Sequence, residues 1–175
     1  MHRLFLALWP DAMVRNAVRE AVATLQQAHA PGGRAVHPDR YHITLQFFGD
    51  FPVVDAGWHG AVREACARVR AARFVLPLDH SGRFGTVGWL GPARTPALLA
   101  QLWDALDAAL ADAGVERRRH ARFVPHLTVL RDMRRPWPAS PLPRIDWPVA
   151  DWVLIDSRHG EGPARYEVLD RWPLE

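Results

Sequence analysis

Apolar residues recur every three or four positions in three stretches of the chain and gather into short β-favouring runs elsewhere. Behind Pro10-Asp11, a helix-entry signal, Met13, Val14, Ala17, Val18, Ala21, Val22 and Leu25 trace one helical stripe. Ala61, Val62, Ala65 and Val69 trace a second over residues 55–70. Leu98, Leu99, Leu102, Leu106 and Leu110 trace a third, opened by Thr95-Pro96 and closed by Gly114. Three helices with core-facing stripes are predicted. Strands are predicted over residues 4–8, 41–48, 74–80, 87–90, 123–130, 151–156 and 166–172. This order suits an α+β class.

No long flexible linker interrupts the pattern. A chain of 175 residues, 49% hydrophobic, buries one substantial core, so a single domain over residues 1–175 is expected. Residues 30–34, Ala-Pro-Gly-Gly-Arg, read as a mobile loop. Residues 135–143, with four prolines, read as a loop too stiff for helix or ladder.

Two of the predicted strands carry the same short phrase. His42-Ile43-Thr44 and His126-Leu127-Thr128 are both His-x-Thr, 126 − 42 = 84 positions apart. Nine His and five Thr in 175 residues would give roughly 0.26 such phrases by chance. On a strand, alternate side chains share a face. His42 then lies beside Thr44, and His126 beside Thr128, while Ile43, Leu45, Leu127 and Val129 pack inward. A lone strand histidine is usually a hydrogen-bonded structural residue; a matched pair with matched threonines points to chemistry. Zinc wants three or four ligands at recognisable spacings. The chain has no His-x-His, no His-Glu-x-x-His and one cysteine, Cys66, so no metal is expected. The other seven histidines lack such a partner and receive no role.

All 22 basic residues are arginine and the net charge is +3, which permits a polyanionic partner without demanding one. The densest clusters are Arg117, Arg118, Arg119 and Arg122 before the second motif and Arg131, Arg134 and Arg135 after it. They read either as solvated loops or as a phosphate-positioning rim, since guanidinium binds phosphate through paired hydrogen bonds. A single cysteine makes no internal disulfide, which suits a reducing cytoplasm. No secretory leader or bilayer-spanning run is evident, so neither export nor a membrane partner is expected. No Gly-x-x-x-x-Gly-Lys-Ser/Thr sequence signals a nucleotide cofactor, and no cofactor is expected. Most tryptophans, including Trp9, Trp89, Trp103 and Trp152, read as structural.

The chain resembles the 2H phosphoesterase superfamily, and within it the bacterial RNA 2',3'-cyclic phosphodiesterases, also called 2'-5' RNA ligases. The resemblance runs nearly end to end: residues 3–8 (Arg-Leu-Phe-Leu-Ala-Leu) as opening strand, 42–49 and 122–131 as the two signatures, and Ser157-Arg158 with residues 164–169 and Trp172-Pro173-Leu174 as a closing hairpin. It implies a bilobal monomer, with an antiparallel sheet and flanking helices in each lobe, related by a pseudo-two-fold axis around a central cleft. Beyond the motifs, internal sequence similarity is weak.

The resemblance further implies a metal-independent enzyme that opens a terminal 2',3'-cyclic phosphate of RNA to a 2'-phosphate, with a reversible 2'-5' ligase reaction. It makes His42 the proton donor and His126 the proton acceptor, Thr44, Thr128 and Arg131 phosphate ligands, and Phe47 a wall for the base, with a core role for Phe47 left open. The residues alone leave the acid and base unassigned. Arg131 lies five residues beyond His126, an odd offset that points away in a regular strand, so a bulge or strand end is predicted between Thr128 and Arg131. Two other readings stay open: a phosphodiesterase for small cyclic nucleotides, and a non-catalytic RNA-end binder.

Overall fold

Each helix begins where the sequence signals it, in a computed structural model that describes residues 1–118, 122–158 and 165–175. Asp11 caps α1 (Ala12–His29), its carboxylate accepting the Val14 amide at 2.9 Å. Asp55 caps α2 (Ala56–Ala67) in the same way through Trp58. Pro96 precedes α3 (Ala97–Asp112), whose end closes as a Schellman motif: Gly114, at φ 68°, donates to Ala111, and Val115 donates to Leu110. The stripes pack as the periodicity predicts, with Val14, Val18, Val22, Val62, Ala65, Leu99, Leu102, Leu106 and Leu110 buried. Two positions depart from it. Met13 is 77% exposed and Leu98 38% exposed, each in the first turn of its helix.

The strands are β1 (His2–Leu8), β2 (Arg34–Ala35), β3 (Ile43–Phe51), β4 (Phe74–Phe84), β5 (Val87–Gly91), β6 (Leu127–Arg131), β7 (Ser140–Val149), β8 (Asp151–Arg158) and β9 (Arg165–Pro173). Every pairing is antiparallel. The order is β7-β4-β5-β6-β3-β1-β8-β9, with β2 added on β6. Two four-stranded halves, β3-β1-β8-β9 and β6-β5-β4-β7, thus correspond to the two expected sheets. They are joined into one ladder by a single residue pair, Ile43 with Leu127.

Beyond that pair the strands part, because each takes a different neighbour. Arg34 and Ala35 pair with Arg131 and Leu130, and Arg118 pairs with Phe47. These exchanges obey the motif spacing: 118 − 34 and 131 − 47 are both 84. The backbone therefore displays the internal symmetry that the side chains conceal.

β1 is buried on both faces. Leu4, Leu6 and Leu8 join the main core with the helical stripes. Phe5 and Ala7 form a smaller cluster with Val153 and Ile155, against which Trp9, Phe47 and Tyr166 pack.

Three loop and strand expectations need correction. The second motif strand starts only at Leu127, since residues 123–126 lie outside the ladder and Pro125 has no amide to give it. Residues 140–143 begin β7, Pro141 and Pro143 included; β7 ends the sheet, where a missing amide costs no ladder bond. Residues 30–34 are pinned rather than loose. Gly33, at φ 82°, lies so close to β6 that a Cβ would stand 2.4 Å from the Arg131 carbonyl, and Pro31 accepts the amides of Arg134 and Arg135.

Candidate functional site

The Ile43–Leu127 pair sets the register of the site. In an antiparallel ladder its neighbours face each other, so His42 stands across from Thr128 and Thr44 across from His126. Ile43 and Leu127 are fully buried beneath them, and the four polar residues share the opposite face. Each motif supplies its histidine to the other motif's threonine.

Three residues after each histidine the strand bulges. Leu45 is the extra residue of β3 against β1, between the Gln46–Leu6 and Thr44–Ala7 pairs. Val129 is the extra residue of β6 against β5, between the Leu130–Gly88 and Thr128–Trp89 pairs. A bulge shifts the alternation by one. It therefore turns the residues five beyond the histidines, Phe47 and Arg131, to the histidine face, as predicted for Arg131; Arg131 also ends its strand.

Both imidazoles are held alike. His42 Nδ1 lies 2.7 Å from the Arg40 carbonyl, and His126 Nδ1 lies 2.8 Å from the Val124 carbonyl, each two residues upstream. A carbonyl only accepts, so Nδ1 carries the proton in both rings and donates it. In the neutral ring Nε2 is then the basic nitrogen on either side. Phe5 packs on His42 at 4.8 Å between centroids and Tyr166 at 5.6 Å; Phe84 meets His126 edge-on at 5.0 Å, with Trp89 behind. Burial pushes the His42 pKa down to about 4, opposed by the Arg40 carbonyl and reinforced by the nearby charges of His126 and Arg131. With that pKa, His42 is uncharged at neutral pH.

The symmetry stops at the walls. His42 and Thr128 share a small hollow of about 70 Å³ with Arg34, Arg40, Arg131 and Tyr166. His126 and Thr44 share a larger one of about 320 Å³ with Phe47, Phe84, Trp103 and Phe123. Trp103 and Phe123 are stacked there, 5.2 Å apart and 12° from parallel. One side is cationic and the other aromatic.

The structure thus gathers all six residues singled out from the sequence: His42, Thr44, Phe47, His126, Thr128 and Arg131. It adds Arg34, Arg40, Phe84 and Trp103, which no motif marks, together with Phe123 of the second signature and Tyr166 of the closing hairpin. Trp103 lines the aromatic hollow while packing against the main core, Trp89 stands behind His126, and Trp152 is buried. Of the first arginine cluster, Arg117 faces inward onto Asp107, Arg122 lines the aromatic hollow, and Arg119 and His120 lie outside the described residues, as does His159. Among the described residues, no helix is long and apolar enough to cross a membrane.

Residues 11–161 match the model of the 2'-5' RNA ligase superfamily. The chain is 34% identical to the RNA 2',3'-cyclic phosphodiesterase of Escherichia coli strain K12, over 98% of this chain and 96% of the relative. It is 30% identical to the RNA 2',3'-cyclic phosphodiesterase of Thermus thermophilus, over 98% and 90%. The crystal structure of E. coli LigT complexed with 3'-AMP superposes with a TM-score of 0.83 at 31% identity, covering 99% of this chain and 98% of that one.

Proposed function

The chain belongs to the 2'-5' RNA ligase superfamily, and from that premise we propose that it is an RNA 2',3'-cyclic phosphodiesterase, acting as a monomer without metal or cofactor. The observation that carries the reading is the pair of imidazoles, each held through Nδ1 by a carbonyl two residues upstream and each across from a threonine. Hydrolysis of a cyclic phosphate needs one group to take a proton from water and another to give a proton to the departing oxygen. Two such imidazoles on facing strands fit both needs.

In the proposed reaction, Nε2 of His126 accepts a proton from water as the water oxygen bonds to phosphorus. The bond from phosphorus to O3' breaks, O3' takes the proton from Nε2 of His42, and a 2'-phosphate remains. Thr44, Thr128 and Arg131 bind the non-bridging oxygens, whose charge grows in the transition state. Phe47, with the Trp103–Phe123 stack, receives the base. With a 5'-hydroxyl in place of water, the same step with the same proton roles gives a 2'-5' linkage, and its reversal, which regenerates the cyclic phosphate, exchanges the two roles.

The donor role requires His42 to gain a proton that burial of the ring disfavours. A bound phosphate anion supplies the missing stabilisation, offsetting Arg131 and His126 and favouring the charged ring. Donor and substrate are then armed together. Cys66, buried and pushed up to about 12, stays out of this chemistry and accords with a reducing cytoplasmic setting.

Incubating the protein in EDTA with a short RNA ending in 2',3'-cyclic phosphate tests the proposal. The expected product is a 2'-phosphate end, and His42→Ala and His126→Ala should each lower kcat by at least about 10²-fold. A 3'-phosphate product would reverse the two histidines, and an unchanged end that still binds would favour the end-binding reading. Turnover of small cyclic nucleotides alone would favour the small-nucleotide reading.

A further inference from the structure

The arginines beside the cationic hollow are arranged by the backbone. Arg34 of β2 pairs with Arg131 of β6, and the Pro31 carbonyl holds the amides of Arg134 and Arg135 at 2.9 and 3.1 Å. Gly33 lies against the backbone of Arg131 and Asp132, and the space beside Gly32 is lined by the Arg134 side chain. Two segments, residues 31–35 and 131–135, are thus locked into one ridge. All four of its guanidinium-bearing residues are exposed, and its single carboxylate, Asp132, is paired with Arg34 at 2.6 Å.

The charge of the whole molecule resolves onto this ridge. The chain carries 22 arginines against 19 carboxylates, +3. The ridge holds four arginines and one aspartate, also +3, so the remainder balances at 18 against 18. It contains no aromatic residue, whereas the far side of the cleft has four. A surface of this kind attracts repeated phosphates and offers nothing on which to stack a base.

We infer that this ridge is a track for the sugar-phosphate backbone of an RNA strand, seating phosphates that flank the reacting one. The inference rests on the cleft being a cyclic-phosphate site and extends it from a terminal group to a polymer. Arg34 and Arg131 sit at the cleft, and Arg134 and Arg135 carry the positive surface outward from it. A strand of several nucleotides gains contacts that a cyclic mononucleotide lacks. Selectivity for polymers then comes from the ridge and selectivity for the cyclic end from the histidines.

The test compares wild type with the double variant Arg134→Ala/Arg135→Ala, neither residue lining the hollows. The substrates are 2',3'-cyclic AMP and a ten-nucleotide RNA with a 2',3'-cyclic end, each followed across a salt series. Expected is a fall in kcat/KM for the oligomer of about tenfold at low salt, a salt slope shallower by about 1.4, and unchanged turnover of the mononucleotide. Equal loss on both substrates, or no loss on either, overturns the track. So does a wild-type oligomer rate insensitive to salt. Fluorescence anisotropy with a labelled 3'-phosphorylated RNA gives a reading free of catalysis: the double variant should bind several-fold more weakly, and equal binding overturns the track. Failure of wild type to turn over either substrate would count against the proposed reaction, leaving anisotropy to decide on the ridge.

Discussion

Phe5 and Tyr166 enclose the ring of His42, and that enclosure governs when the ring carries a proton. The folded pKa, about 4, lies below the ordinary 6.5. Between those values the unfolded chain binds a proton that the folded chain does not, so this residue makes stability fall as pH falls through that window. Tyr166→Ala should admit water, raise the His42 titration towards its ordinary value and reduce kcat. Tyr166→Phe keeps the ring wall and should leave the titration in place. Imidazole proton NMR against pH reads both; an unmoved His42 resonance in the alanine variant would show that Tyr166 does not set the ring's environment. His42 and His126 were legible in the sequence because the phrase repeats with its threonine. Tyr166 was not, since its place depends on β9 returning beside β8 and no local pattern states which strand a tyrosine will face.

At the scale of elements, the bulges at Leu45 and Val129 decide which residues join the site. The odd spacing of Arg131 from His126 betrayed one of them in advance. Phe47 stands at the same offset from His42 in the other strand. β7 was hidden for a different reason: prolines argue against a ladder in general, yet an edge strand forgives them. The aromatic wall depends on another close approach. Gly82 pairs with Trp89, and a Cβ at Gly82 would stand 2.1 Å from the indole. Gly82→Ala should therefore displace Trp89, disturb the packing behind His126, destabilise the fold by about 1–3 kcal/mol and lower kcat. Denaturation midpoints and steady-state kinetics measure the two effects, and an alanine variant with wild-type values for both would dissociate Trp89 from the site.

Across the whole molecule, one hydrophobic cluster draws residues from both halves and all three helices. The halves should therefore unfold together. Trp152 reports from one half and Trp147 from the other, both buried, so tryptophan fluorescence and far-ultraviolet circular dichroism should give coincident urea transitions. Two separated transitions would divide the chain into independent domains. The α+β class and the helices were legible from periodicity, whereas the joining of the halves was not, because one rung of ladder leaves no trace in composition. That rung, Ile43 with Leu127, has an ancestral implication. A half-length chain paired with its own copy across such a rung would own two interchangeable histidines, unable to differ in acidity. Joining two copies in one chain frees each side to diverge, so that guanidinium groups gather around one ring and aromatic rings around the other. Duplication followed by divergence would thus fix which ring gives the proton and which takes it.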